Sequence, residues 1–246
     1  MSDVIEQWRD YLESGRSFAV QAERGVTEGE LRANRTGIVV ASSLAALVLA
    51  GLVVLVVADF GRLTTSLLVG LFLVLLLVIV VRLAGMRRRL RAYLSAADPF
   101  VVVSAESVTF SGIPPIAWRD VLGVLSSDLT AEYEAARGLG GWLRRAAVRT
   151  GGATIPVALG IERAGAYRAG ATGGLAHDLI VVTDENGQAI AYLDHALPVE
   201  QARQVVTAIK VAASLNGVGF LASNHAKDGF EPAAKMLKGE RLEPRV

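Results

Sequence analysis

The chain has 246 residues, of which 52% are hydrophobic but only 6% aromatic, and its formal net charge is +1. So much aliphatic content excludes a disordered chain, a collagen-like chain and a disulfide-stapled mini-protein. Cysteine is absent, which excludes disulfides, Cys-ligated zinc, iron–sulfur clusters and thiol catalysis, and the balanced charge gives no steering toward nucleic acid.

Residues 1–36 are charged and helix-prone. Val4, Ile5, Trp8, Tyr11 and Leu12 recur at helical spacing and form one apolar face. Gly15 and Gly25 interrupt the pattern. Thr27 and Glu30 have capping-box spacing, which predicts a helix starting at Glu28 and running into the apolar stretch that follows. Asp3, Glu6, Asp10 and Glu13 offset Arg9 and Arg16. The Trp8 face is therefore expected to pack on this chain's own folded domain or on a sister chain, rather than on anionic lipid.

Gly37 to Ala58 is free of charge, as is Leu63 to Val81. About 20 helical residues cross a hydrocarbon core of roughly 30 Å, so both stretches predict membrane spans. The first begins too late, and after too many acids, for a cleaved signal peptide. Only Asp59–Arg62 separates the spans, so they are antiparallel neighbours. Arg24, Arg32 and Arg35 precede the pair, Arg82, Arg87, Arg88, Arg89 and Arg91 follow it, and the turn holds Arg62. This bias predicts both termini in the cytoplasm. Arg87, Arg88, Arg89 and Arg91 are read first as that topology signal and second as a surface for anionic headgroups. Ser42, Ala46 and Ala50 on the first helix, with Ser66 and Gly70 on the second, give small-residue stripes expected to let the two helices approach closely. Neither span carries an ionisable residue, unlike pumps and proton relays, so the hairpin is read as an anchor. An oligomeric sensor or channel-like assembly is the alternative.

Beyond Asp98-Pro99 the composition becomes that of a folded domain. Phe100–Ser104 predicts a buried strand, Ala105-Glu106 a tight turn and Ser107–Ser111 a second, alternating strand. Gly112, Pro114 and Pro115 punctuate, and Ile116-Ala117-Trp118-Arg119-Asp120-Val121 follows. Trp118 is read as a core or turn residue packing on the hairpin, with ligand stacking as the sharper alternative. His177–Thr183 and Ala189–Leu193 flank Asp184-Glu185-Asn186-Gly187, a hairpin turn containing Asn-Gly. Pro198 opens a helix to about Leu215, with Val199, Ala202, Val205, Val206, Ile209, Ala212 and Ala213 on its apolar face.

The hairpin "VVVSAESVTFSG" followed by "IPPIAWRDVLGV" resembles the opening of bacterial PH-like domains. The whole chain is similar to small bacterial inner-membrane proteins with two transmembrane helices and one such cytoplasmic domain. The resemblance covers about residues 37–125 and 177–216. It implies an α+β domain built as a PH-like bent antiparallel β-barrel or sandwich, capped by a C-terminal helix. Arg outnumbers Lys 21 to 4, a bias that resembles coding in a GC-rich bacterium and so points to the plasma membrane of such a cell.

The expected organisation is an amphipathic segment 1–36, a transmembrane hairpin 37–83, a basic juxtamembrane linker 84–98, a cytoplasmic domain 99–216 and a tail 217–246. Residues 130–176 form an Ala/Gly/Arg-rich insertion that departs from the PH-like plan. Within it, Ala153–Glu162 predicts a strand. Ala131–Arg149 predicts a helix on which Arg144, Arg145 and Arg149 are candidates for partner binding. His177, Asp178, Asp194 and His195 could meet if their strands pair, and would then suit a metal or acid–base chemistry. Polar residues belong at strand ends in any case, so no catalytic residue, metal or cofactor is assigned. The tail is read as mobile, with Phe220, Leu221 and Phe230 as its means of docking. The functional expectation is a non-catalytic binding or scaffold domain held at the inner leaflet. Its partners are the bilayer and another membrane or cytoplasmic protein, self included, but not nucleic acid. A membrane-proximal hydrolase using His177, Asp178, Asp194 and His195 ranks below it.

Overall fold

The computed structural model describes residues 2–57, 63–135, 154–170, 180–183 and 185–244. Helix α1, Ser2–Glu13, stops where Gly15 turns into the left-handed region at φ 78°. Its Trp8 meets Phe18 edge-on at 4.8 Å, and Leu12 is completely buried. The apolar face of α1 therefore packs on this chain's own folded domain. Strand β1, Phe18–Val20, follows. Period-2 patterning over three residues is too short to announce a strand, and sequence alone does not predict one here.

Two long helices come next, α2 at Arg24–Val57 and α3 at Leu63–Ser95. Both are long and apolar enough to cross a membrane. Only 11% of each apolar window is buried inside the protein, unlike the core helices of a soluble fold. α2 begins a turn earlier than the capping box predicts. Gly25 lies within its first turn, and the Thr27 hydroxyl bonds back to the Glu23 carbonyl at 3.1 Å instead of capping a helix end. α3 does not stop at the end of its apolar stretch. The expected basic linker is helix as far as Ser95, because 84–95 is rich in Arg, Leu and Ala and contains no Pro and a single Gly.

The two helices pack along a seam with coiled-coil spacing. On α2 the positions shielded from solvent are Thr27, Leu31, Asn34, Ile38, Ala41, Ala45, Val48, Leu52 and Leu55; on α3 they include Val69, Leu73, Leu76, Val80, Leu83, Arg87 and Leu90. Steps of four and three alternate throughout both series. The predicted stripe is therefore one residue out of phase. Ser42, Ala46 and Ala50 are exposed, and Ala41 and Ala45 face α3. The reason is that Thr27, Leu31 and Asn34, outside the uncharged stretch, set the phase of the seam. Gly70 is half-buried beside Val69, while the side chain of Ser66 lies outside the described residues.

The remainder is an α+β region with two sheets. The first has the order β1-β2-β3-β4, with β2 at Val101–Val103, β3 at Ser107–Phe110 and β4 at Ile116–Ala117. The predicted hairpin is present, with Val103 opposite Val108, and Ser104 and Ser107 bonding across the turn. A 3-10 turn at Trp118–Asp120 leads into β5, Val121–Ser127. Trp118 is 1% exposed and its indole N–H donates to the Ser104 carbonyl at 3.0 Å, so it locks the corner to the hairpin.

The second sheet runs β7-β8-β6-β5-β9. Between β5 and β6 (Pro156–Glu162) lies α4, Thr130–Ala135. The rest of the helix expected at Ala131–Arg149 falls outside the described residues. Helix α5, Ala164–Gly170, connects toward β7, Ile180–Thr183, which pairs with β8, Asn186–Tyr192. Asn186 already pairs with Thr183, and Gly187 with both Val182 and Ile161. Asn186-Gly187 is thus strand, not turn. Pairing with β6 holds both residues in the ladder, and this long-range term outweighs the local turn preference.

Helix α6, Val199–Leu215, buries Ala202, Val205, Ile209, Ala212 and Ala213 as its spacing predicts, although Val199 stays 38% exposed. The expected mobile tail is instead part of the sheet layer. Strand β9, Phe220–Ser223, adds to the edge of β5 in parallel, and α7, Phe230–Leu237, lies on the sheet. Met236 is completely buried against Gly160, and Leu242 packs against Gly123 and bonds to the Leu122 carbonyl. Phe230 takes no part in this docking and is 73% exposed. Neither residue 99 nor residue 216 bounds the folded region, since β1 and β9 bring strands to it from either side.

Candidate functional site at the junction of hairpin and domain

The described residues with the most chemistry gather where α2 and α3 enter the α+β region. α3 places Met86, Leu90 and Tyr93 in the main hydrophobic core, with Tyr93 edge-on to Phe100 at 4.8 Å. One rigid element therefore belongs both to an apolar hairpin and to a folded domain. α2 is attached beside it, where the Glu23 backbone N–H donates to the Ala196 carbonyl at 2.7 Å.

Asn34 fixes the height of one helix against the other. It is fully buried, and its Nδ2 donates to the Leu83 carbonyl at 3.0 Å. Its Oδ1 finds no hydrogen-bond partner. A single buried Asn in a helix seam selects one register at some cost in stability.

The four candidate arginines separate by helical phase. Arg88 and Arg91 are exposed. Arg89 faces the domain, its guanidinium 4.8 Å from the ring centre of Tyr192 on β8, a cation–π contact. Arg87 is half-buried, and its Nε lies against the protein without a hydrogen-bond partner. No single surface of α3 displays all four.

The Asp194–His195 pair sits in a 3-10 turn, Leu193–His195, next to this junction. Asp194 Oδ2 accepts from both the backbone N–H and the hydroxyl of Thr154, each at 2.6 Å. Its Oδ1 is buried with no hydrogen-bond partner. His195 is 4% exposed, with its ring 5.4 Å from that of Tyr192. These contacts make Asp194 a strut holding the entry to β6. His177 and Asp178 lie outside the described residues, as do Arg144, Arg145 and Arg149. Among the described residues no three His, Asp or Glu side chains converge as metal ligands.

The Tyr167 hydroxyl of α5 donates to Asp120 at 2.6 Å. Burial, and then this hydrogen bond to a carboxylate, hold its pKa above the usual tyrosine value. The contact pins α5 to the corner around Trp118.

Sequence reasoning did not single out Asn34, Tyr192 or Thr154. The four–three alternation from Thr27 to Leu55 was the available signal for Asn34. Nothing local marks Tyr192 or Thr154, whose partners lie 103 and 40 positions away by sequence number. No protein-family model, curated protein or solved structure matches the chain.

Proposed function

We propose that the chain is a multi-pass protein of the bacterial plasma membrane that holds its α+β domain against the inner leaflet as a non-catalytic binding or scaffold module. The observation that carries this reading is the continuity of α3. It runs unbroken from an uncharged stretch ending at Val81 into the domain core at Leu90 and Tyr93. A flexible tether would let the domain tumble. A shared helix instead presents one fixed face to partners confined to the same membrane, which raises their effective concentration.

The orientation with both termini inside rests on eight Arg flanking the apolar stretches at their domain ends, against one between them. The PH-like reading is supported by antiparallel strands followed by the long helix α6, while the parallel strand β9 is an addition to that plan.

Two measurements test the proposal together. The full chain in native membranes should stay in the pellet under alkaline carbonate, and a periplasm-dependent phosphatase fused after Val246 should be inactive while a cytoplasmic reporter there is active. Release by carbonate refutes the membrane anchor, and an active phosphatase refutes the orientation.

A further inference from the structure

We infer that the hairpin carries a collar of arginines, Arg32 and Arg35 on α2 with Arg82 and Arg88 on α3, that binds the phosphate groups of anionic phospholipids. The inference rests on the membrane reading above and gives that surface a ligand class.

The Asn34–Leu83 hydrogen bond, 3.0 Å long, brings the two helices to a common height. Arg35 adjoins Asn34 and Arg82 adjoins Leu83, so these two side chains leave the hairpin at one level. Arg32 and Arg88 lie on the domain side of that level, by roughly 5 and 9 Å at 1.5 Å per helical residue. All four are exposed. The level coincides with the ends of the two uncharged stretches, Gly37–Ala58 and Leu63–Val81. At such a boundary a long cationic side chain extends along the helix and holds its head at headgroup depth.

The acids of the two helices, Glu28 and Glu30, both lie on the domain side of the collar's Arg35–Arg82 level. α3 contains no Asp or Glu over its whole length, and α2 contains none beyond Glu30. Among the described residues no ion pair involves Arg32, Arg35, Arg82 or Arg88, whereas Arg24, further from the apolar stretch, is paired with Glu28 at 3.2 Å. The Arg32 Nε donates to the Glu28 carbonyl at 3.4 Å, which leaves its two terminal nitrogens for another acceptor. Between the two helices, Arg87 adds a guanidinium whose Nε has no protein acceptor. Guanidinium forks match phosphate oxygens in geometry and bind them bidentately. A phosphodiester headgroup supplies the missing negative charge at the correct depth. A protein partner would have to approach the same level through the headgroups themselves.

The test uses the full chain reconstituted in phosphatidylcholine vesicles containing trace spin-labelled lipid. Spin-labelled phosphatidylglycerol should be retained at the protein about fivefold over spin-labelled phosphatidylcholine, the equivalent of the ~1 kcal/mol expected of one surface cation. The variant R32Q/R35Q/R82Q/R88Q should bring the ratio to about one, while R91Q, which removes a charge more than two turns from Arg82, should leave it unchanged. High salt should lower the wild-type ratio. Inorganic phosphate should compete no better than chloride at equal ionic strength. A wild-type ratio near one, a quadruple variant that keeps its preference, or displacement specific to phosphate would each overturn the inference. Failure of the chain to float with the vesicles would instead refute the membrane anchor.

Discussion

Leu90 joins the apolar hairpin to the folded domain, so its truncation tests that union directly. The side chain is 0% exposed and belongs to the core cluster formed with Tyr93, Phe100, Val101 and Phe110. Leu90→Ala removes three carbons from this cluster. At about 0.8 kcal/mol for each buried carbon the transfer loss is about 2.4 kcal/mol, and an unfilled cavity brings the cost to about 3–5 kcal/mol. For a chain of this size that corresponds to a fall in Tm of roughly 6–20 °C. Tryptophan emission, to which Trp118 at 1% exposure contributes a buried component, provides the readout in detergent or lipid nanodiscs. The matched control is Leu77→Ala, since Leu77 is 50% exposed and lipid can fill the space it leaves. Equal Tm values for the wild type and Leu90→Ala would mean that the last turns of α3 are a linker passing the domain, and would refute the rigid union of hairpin and domain.

A methyl group at Gly160 would lie 2.5 Å from the Met236 sulfur and 2.7 Å from its Cβ. Gly160→Ala should therefore destabilise by about 1–3 kcal/mol and raise hydrogen exchange in α7, and Met236→Ala in the same chain should recover part of the loss; an unchanged exchange rate would refute the docking of α7 on β6. Burial raises the Asp128 carboxyl pKa, but the Thr130 N–H at 3.1 Å and the Arg203 guanidinium at 3.1 Å outweigh it and hold it below the usual value. A depressed carboxyl adds stability above its unfolded pKa of about 3.9 and loses it as pH falls through the folded value. Arg203→Gln should then cost less than ~1 kcal/mol at neutral pH, because the pair is largely solvated, and should flatten the acid limb of Tm against pH; an identical acid limb would remove the ion pair from the account.

Elements with a local signal are legible in the amino-acid order alone. Two long uncharged runs make two apolar helices, because a charge within such a run is costly in lipid and its absence needs no partner to interpret. The Val101–Val103 and Ser107–Phe110 hairpin, Trp118 at a buried corner and the buried face of α6 follow from alternation, turn residues and helical spacing over a dozen residues or fewer. Whatever depends on the group lying opposite follows only from the packed chain. Whether Ala41 or Ser42 faces α3 was set by Asn34 and Leu83, residues 49 apart in the chain. Asn186-Gly187, a strong local turn signal, became strand because β6 pairs with it through Glu162 and Ile161. The glycine-broken tail became structure because Gly160 and Gly123, lacking side chains, leave room on the sheet for Met236 and Leu242. The arginines shared one short stretch of sequence, but a helix turns about 100° per residue. That rotation sent Arg89 to Tyr192 and left Arg88 in solvent, and the alignment of the two helices brought Arg82 level with Arg35.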